Sequence, residues 1–258
     1  MKKKWRNIIR DSAPPVLFLA LTLALWQGIS ASGMVTGYML PSPMSVARAF
    51  TGEFPLLMGH LGVTLWEAML GLAIAVVIAL ALAILMDASR FMKRSLTPAL
   101  LLTQTVPTIA IAPLLVLWLG SGAAPKIVLV FLTCFFPMTI GLLGGLAQVD
   151  EDAIRLLRSM GARRAQIYRY GKLPSALPAF FSSLKISASY AIVGAVVSEW
   201  LGGDAGLGFY MIRVRRSYSF DKMFAVILLT AALSLVLVKL VSLLERWAMP
   251  WRGNDKEL

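Results

Sequence analysis

The residues whose types and spacing could do chemistry in this chain are polar groups set inside or beside long apolar runs. Glu67 lies about two helical turns into one such run, Glu199 sits at the end of another, and Thr103-Gln104-Thr105 adjoins Pro107. Charges and amides in hydrocarbon are costly, so by default they mark a path for a solute. Their chemistry would be recognition rather than bond making. Carboxylates accept hydrogen bonds, Gln104 both donates and accepts, and Trp66, Tyr190 and Trp200 could stack a flat ring. Plainer roles stand beside these: ion pairs with Lys185 or an outer arginine, hydroxyls bonded to carbonyls freed at Pro107, and aromatic anchoring at an interface. His60 and Cys134 are the only residues of their kinds, which excludes a multi-histidine metal site, a cysteine metal site and an intramolecular disulfide. No nucleophile constellation or paired intramembrane carboxylates point to catalysis. No Gly-x-x-x-x-Gly-Lys-[Ser/Thr] loop is present, and Gly171-Lys172 is followed by leucine. Nucleotide hydrolysis, if the function needs it, must belong to another chain.

The elements that must position these residues are membrane helices. Of the 258 residues 58% are hydrophobic and 15% charged, with a mean hydropathy of +0.76. A soluble domain would be about half apolar and a quarter charged. The net charge of +12 does not indicate nucleic acid, because the basic residues cluster beside apolar runs and form no groove-binding motif. Six runs approach the ~20 residues a bilayer crossing requires: Pro14–Ser32, Leu61–Met86, Thr97–Leu119, Lys126–Ala147, Leu177–Val197 and Met223–Leu244. The first follows Lys2-Lys3-Lys4-Trp5-Arg6 and is read as an uncleaved span rather than a signal peptide. Pro107 and Pro113 predict a kink or unwinding in the third, which must then face protein or a water-filled cavity. Seventeen Lys and Arg residues fall on the side of the N-terminus and six on the other, which predicts both termini inside. Arg213, Arg215, Arg216 and Lys222 are the outer exception, suited to headgroups or to an acidic external partner. Ala68, Gly71, Ala75, Gly141 and Gly145 would allow close helix contacts. The expected organisation is a basic N-terminal segment (1–13), a permeation domain (14–249) and a C-terminal tail (250–258).

One polar insert, Asp150 to Pro174, is more structured than a loop between spans requires. Ala153, Leu156, Leu157 and Met160 form a helical apolar stripe, Asp150, Glu151 and Asp152 complement the first turn, and Arg158 the last. Gly161 predicts an elbow. Ala162–Tyr170 predicts a second short helix, stopped at Leu173-Pro174 where the next span begins. The pattern fits a folded knob displayed at the membrane surface, or an interfacial helix lying on lipid.

The insert resembles the cytoplasmic coupling loop of bacterial ABC-importer permeases. Gly161 and Leu173-Pro174 match that loop's glycine and its Leu-Pro ending. Arg155-Leu156-Leu157 stands where the loop's Glu-Ala-Ala is usual, Gly171 where isoleucine is usual, and Glu151 lies one turn before the usual glutamate. Gln104-Thr105-Val106-Pro107-Thr108-Ile109-Ala110-Ile111-Ala112-Pro113-Leu114, Trp118-Leu119-Gly120, Leu40-Pro41-Ser42-Pro43 and Gly206-Leu207-Gly208 resemble the sulfonate, nitrate, taurine and thiamine-precursor branch. The resemblance implies an all-α integral membrane protein of about six transmembrane helices with the type I ABC-importer permease fold, in the bacterial inner membrane. It implies a second permease copy, two cytoplasmic ATPase subunits that carry ATP and Mg, and a periplasmic or lipid-anchored substrate-binding protein. No cofactor is expected in this chain. By resemblance, coupling falls to Glu151, Ala153, Leu157, Met160, Gly161, Ala162, Leu173 and Pro174. The expected path comprises Glu67, Thr103, Gln104, Thr105, Pro107, Tyr190, Glu199 and Trp200. Sulfonate and nitrate relatives usually carry arginine where Glu67 stands, and the runs 156–162 and 198–203 look most like the hydroxymethylpyrimidine subgroup. The expected cargo is therefore a pyrimidine thiamine precursor. A sulfonate, taurine or nitrate importer is the alternative, and an ion-coupled secondary transporter the reading from another class.

Overall fold

Long apolar runs without water must satisfy their backbone internally, and the chain does so almost wholly by helices. The computed structural model describes residues 2–33, 36 and 39–251; the expected tail beyond Trp251 lies outside these. The helices are α1 (Lys2–Ala31), α2 (Pro43–Gly52), α3 (Phe54–Ala88), α4 (Arg90–Thr105), α5 (Thr108–Leu119), α6 (Ala123–Ala147), α7 (Glu151–Ser159), α8 (Arg164–Ile167), α9 (Leu173–Gly202), α10 (Leu207–Arg216) and α11 (Phe220–Ala248), with a π-helical turn at Tyr168–Lys172. Among the described residues four helical stretches suffice, by length and composition, to cross a membrane: α3, α6, α11, and the run from α8 through α9. Helices α4 and α5 qualify only together and are bent by 94°, and Val16–Ala31 is shorter than a full crossing.

The chain divides into two units, residues 1–58 with 210–229, and residues 59–209 with 230–258. In the first unit, Ser42 caps α2 by accepting the Ser45 N–H at 3.2 Å, with Pro43 at the first helical position. This gives the Leu40-Pro41-Ser42-Pro43 run a structural reason. Trp26 donates from Nε1 to the Pro41 carbonyl at 3.0 Å and lies against the Phe224 ring. Glu53 accepts from Tyr210 and Lys222. Burial alone would raise the Glu53 carboxyl, but these two partners outweigh it and hold the group below the ordinary carboxylate range. Lys222 of the outer basic set is therefore already partnered within its own unit.

In the second unit α3, α6 and α9 form the core. Ala79 and Ala83 of α3, Met138, Leu142 and Leu146 of α6, and Ala176 of α9 are buried together. The expected small residues account for the close approach. A Cβ on Gly71 would lie 2.6 Å from Val130, one on Gly145 2.7 Å from the Ala179 Cβ, and one on Gly141 1.6 Å from the Ser183 Oγ. Lys185 of α9 pairs with Glu245 of α11 at 2.5 Å, not with Glu67.

The third predicted span breaks at Pro107, whereas Pro113 lies inside α5 without interrupting it. Val106 is extended between α4 and α5, and Pro107 precedes the new helix. The Thr103 and Thr105 hydroxyls donate to the Leu100 and Leu102 carbonyls at 2.7 and 2.8 Å. Both hydroxyls thus bond back onto their own helix, three residues earlier, beside the break.

Because α6 and α9 meet through glycine, a branched side chain there must force them apart. Gly145→Val is expected to cost about 1–3 kcal/mol. The buried Cys134, the only cysteine, reports this directly. On heating in detergent it should react with a maleimide several degrees earlier than in wild type; an unchanged temperature would contradict the packing role.

Candidate functional site

The 150–174 segment is a small folded knob. Asp150 caps α7 by accepting the Asp152 N–H at 2.9 Å, Glu151 and Asp152 occupy the first turn, and Arg158 the last. Arg155 bridges to Glu151 at 3.3 Å and Asp152 at 3.4 Å, all three exposed. Such pairs contribute a few tenths of a kcal/mol. The helix ends at Gly161, whose φ is +79°. The Gly161 N–H reaches the Arg158 carbonyl and the Ala162 N–H the Leu157 carbonyl, at 2.9 and 3.0 Å. No atom would obstruct a Cβ at Gly161, so glycine is required for its left-handed backbone rather than for space.

Two expectations for this segment change. The apolar residues of α7 form two faces instead of one stripe. Ile154 is buried and Leu157 half-buried, while Ala153, Leu156 and Met160 remain exposed. The inward face rests on Gly171, where a Cβ would lie 3.2 Å from Leu157 and 3.4 Å from Ile154. Glycine at a position usually held by isoleucine thus leaves room for α7. The second change is that Leu173-Pro174 does not stop a helix. Helix α8 passes through the π turn into α9 without a break. Proline in a continuous helix clashes with the carbonyl four residues earlier. Here the Leu173 N–H instead bonds the Tyr168 carbonyl across the wider π turn, and that change of register directly before Pro174 is where the helix accommodates the proline.

A cavity of about 370 Å³ opens at the α4–α5 break. Thr103, Gln104, Pro107 and Tyr190 line it, with Thr133 and Gly194. None of its lining residues is charged, and Tyr190 supplies its aromatic ring. Thr105, Trp200, Glu67 and Glu199 are not among its lining residues. Thr105 and Trp200 are exposed.

Glu67 and Glu199 belong to a separate buried cluster. Glu67 Oε1 receives Lys126 Nζ at 2.8 Å, with both side chains nearly sealed from solvent. Glu199 accepts from Thr64 Oγ1 at 2.6 Å and from the Gly208 N–H at 2.5 Å. Thr64 Oγ1 in turn accepts the Leu207 N–H at 2.8 Å. The Gly206-Leu207-Gly208 run is therefore the N-terminus of α10, capped by a carboxylate and a hydroxyl as its dipole favours. A Cβ at Gly208 would lie 2.2 Å from the Val196 carbonyl, and glycine permits that approach. Glu199 is buried rather than solvated at an interface, and Glu67 takes Lys126 as partner, not Lys185 or an outer arginine. Lys126 was missed because it begins an apolar run and counts as a loop charge. Thr64 shares a helical face with Glu67 at i, i+3, which was the available signal.

Residues 71–249 match the family model described as binding-protein-dependent transport system inner membrane component. An ABC transporter permease protein of Haemophilus influenzae is 38% identical over 86% of this chain and 91% of its own. The formylaminopyrimidine transport permease ThiX of Halalkalibacterium halodurans is 34% identical over 93% and 96%. The taurine transport permease TauC of Escherichia coli is 30% identical over 97% and 94%. Among solved structures, the inward-facing MetNI methionine ABC transporter aligns with a TM-score of 0.68 at 20% identity, over 76% of this chain and 97% of that chain. That likeness shows the fold.

The buried pair gives a double test. Lys126→Met strands the Glu67 carboxylate and is expected to cost about 3–5 kcal/mol. Adding Glu67→Gln should restore most of it, read again by the heating temperature at which Cys134 reacts. Additive losses in the double variant would contradict the pairing.

Proposed function

Because this chain belongs to the family of binding-protein-dependent transport system inner membrane components, the membrane-spanning permeases of ABC importers, we propose that it carries a small flat nitrogen heterocycle of the pyrimidine type. The observation that carries this reading is the cavity at the α4–α5 break. Its ~370 Å³ suits a small solute. Tyr190 offers a ring face, Gln104 a donor and an acceptor, and the Thr103 hydroxyl, whose proton goes to the Leu100 carbonyl, a further acceptor for an amino group. The absence of charge among its lining residues disfavours a sulfonate or nitrate, whose desolvated charge would find no cation there. The likeness to ThiX, named for formylaminopyrimidine transport, supports the same class. Glu67 does not supply the selectivity, since Lys126 already neutralises it.

The knob is the contact to the ATPase in this proposal. Its exposed apolar face (Ala153, Leu156, Met160) is not covered by any of the described residues and adjoins the Gly161 elbow. The chain carries no phosphate-binding loop, so ATP and Mg would sit on that partner. The excess of basic residues beside the N-terminal side supports a cytoplasmic knob and cytoplasmic termini. A second copy of this chain, two ATPase subunits and an external binding protein complete the proposed machine.

Proteoliposomes holding the full complex test the substrate. Labelled hydroxymethylpyrimidine should accumulate with ATP, and Tyr190→Ala should slow uptake about tenfold, as loss of an aromatic contact of about 1.5 kcal/mol implies. Taurine uptake without pyrimidine uptake would overturn the reading.

A further inference from the structure

The end of α3 receives three bonds from the segment that joins the knob to α9. Lys172 Nζ meets Asp87 Oδ2 at 2.6 Å, the Tyr168 hydroxyl donates to the same oxygen, and Arg164 Nη2 donates to the Ala88 carbonyl at 2.9 Å. Tyr168 and Lys172 bracket the π turn. Asp87 and Lys172 are largely buried, with side chains 12% and 22% exposed. An ion pair held at that depth, with a second hydrogen bond on the same oxygen, is directional and resists sliding. By contrast, the exposed Arg155 pairs on α7 hold nothing outside their own helix.

Helix α3 is continuous from Phe54 to Ala88 and contains no internal proline beyond its first turn. At about 1.5 Å per residue, ~35 Å separates Asp87 from Thr64. Thr64 holds Glu199 and the Leu207 N–H at the start of α10, and Glu67 one turn on holds Lys126 of α6. The two polar nodes of α3 therefore grip the knob's stem at one end and the α6, α9 and α10 backbone at the other.

From this arrangement we infer that Asp87 is a positioning residue for transport, the joint that makes α3 move with the knob. The inference rests on the proposed docking of the knob to an ATPase. Helix α9 follows the knob through the backbone, because α8, the π turn and α9 are one continuous helix. Helix α3 has no such covalent continuity with the knob, since α4, α5 and α6 intervene in the chain. The Asp87 bonds replace it. Cutting them leaves the docking face intact and disconnects α3 from it.

The test uses the complete complex in proteoliposomes and reads solute transported per ATP hydrolysed, together with retention of the ATPase on purification. Asp87→Ala is expected to keep the ATPase and to lower transport per ATP at least about fivefold, the lower end of ordinary coupling. The exchange Asp87→Lys with Lys172→Asp, which re-forms the pair in reverse, should recover at least half of wild-type coupling; the separation from a merely structural defect is that Asp87→Ala still retains the ATPase. A wild-type ratio in Asp87→Ala overturns the inference. If Asp87→Ala does not assemble, Asp87→Asn with Lys172→Met, which strands no charge, is read instead, and a wild-type ratio there overturns it equally. Failure of the wild-type chain to retain an ATPase strikes the docking reading itself. ATPase retained with transport per ATP lost concerns Asp87.

Discussion

The close approach of α6 and α9 is the constraint on which the knob depends. Gly141 and Gly145 let the two helices meet at distances that no side chain would permit. The knob is the connector between them, leaving α6 at Ala147 and entering α9 at Leu173. With its two ends fixed by that contact, a short segment has few conformations left, and the elbow is held by the Gly161 and Ala162 N–H bonds to α7, by the packing of Ile154 and Leu157 on Gly171, and by the π turn. A rigid connector can pass a push along its length, which a flexible loop of equal length cannot. The same glycine packing that stabilises the bundle therefore makes its connector useful.

The inward carboxylates of the second unit meet distinct compensation: Glu67 an ammonium on one oxygen, its other oxygen being buried without a hydrogen bond among the described residues, Glu199 a helix N-terminus and a hydroxyl, Asp87 an ammonium and a phenol. The cavity beside the helix break is built differently, from a broken backbone, hydroxyls and one amide. Charge is used to fix helices, and neutral polarity is left facing the space where a solute would fit. That division is consistent with the uncharged solute proposed above.

Much of this was legible in the residues. Hydropathy gave four of the six expected spans outright among the described residues, Pro107 the break and Gly161 the elbow, because each is a local property of a residue type. The mixed wall of the cavity was half visible: Thr103, Gln104, Pro107 and Tyr190 were read as path residues and lie together. What escaped were pairings set by distant contacts. Lys126 counted as a loop charge until α6 placed it against Glu67, and Asp87 carried no local signal until the stem of the knob closed on it. The two faces of α7 escaped for a related reason. A nine-residue amphipathic helix does not say which face is inward, and that was decided by the missing side chain at Gly171. Pro174 likewise looked like a stop, because a π turn is a response to packing and has no composition of its own.

The central claim is that the exposed face of α7 meets an ATPase. Cys134 is buried and is the only cysteine, so a cysteine placed at Met160, which is 74% exposed, can be addressed alone. Membranes holding the Met160→Cys permease with its ATPase, treated with a short bifunctional thiol-to-amine cross-linker, should yield a permease–ATPase adduct. The equally exposed Leu235→Cys on α11 should yield none. An adduct from Leu235→Cys and none from Met160→Cys would contradict the account.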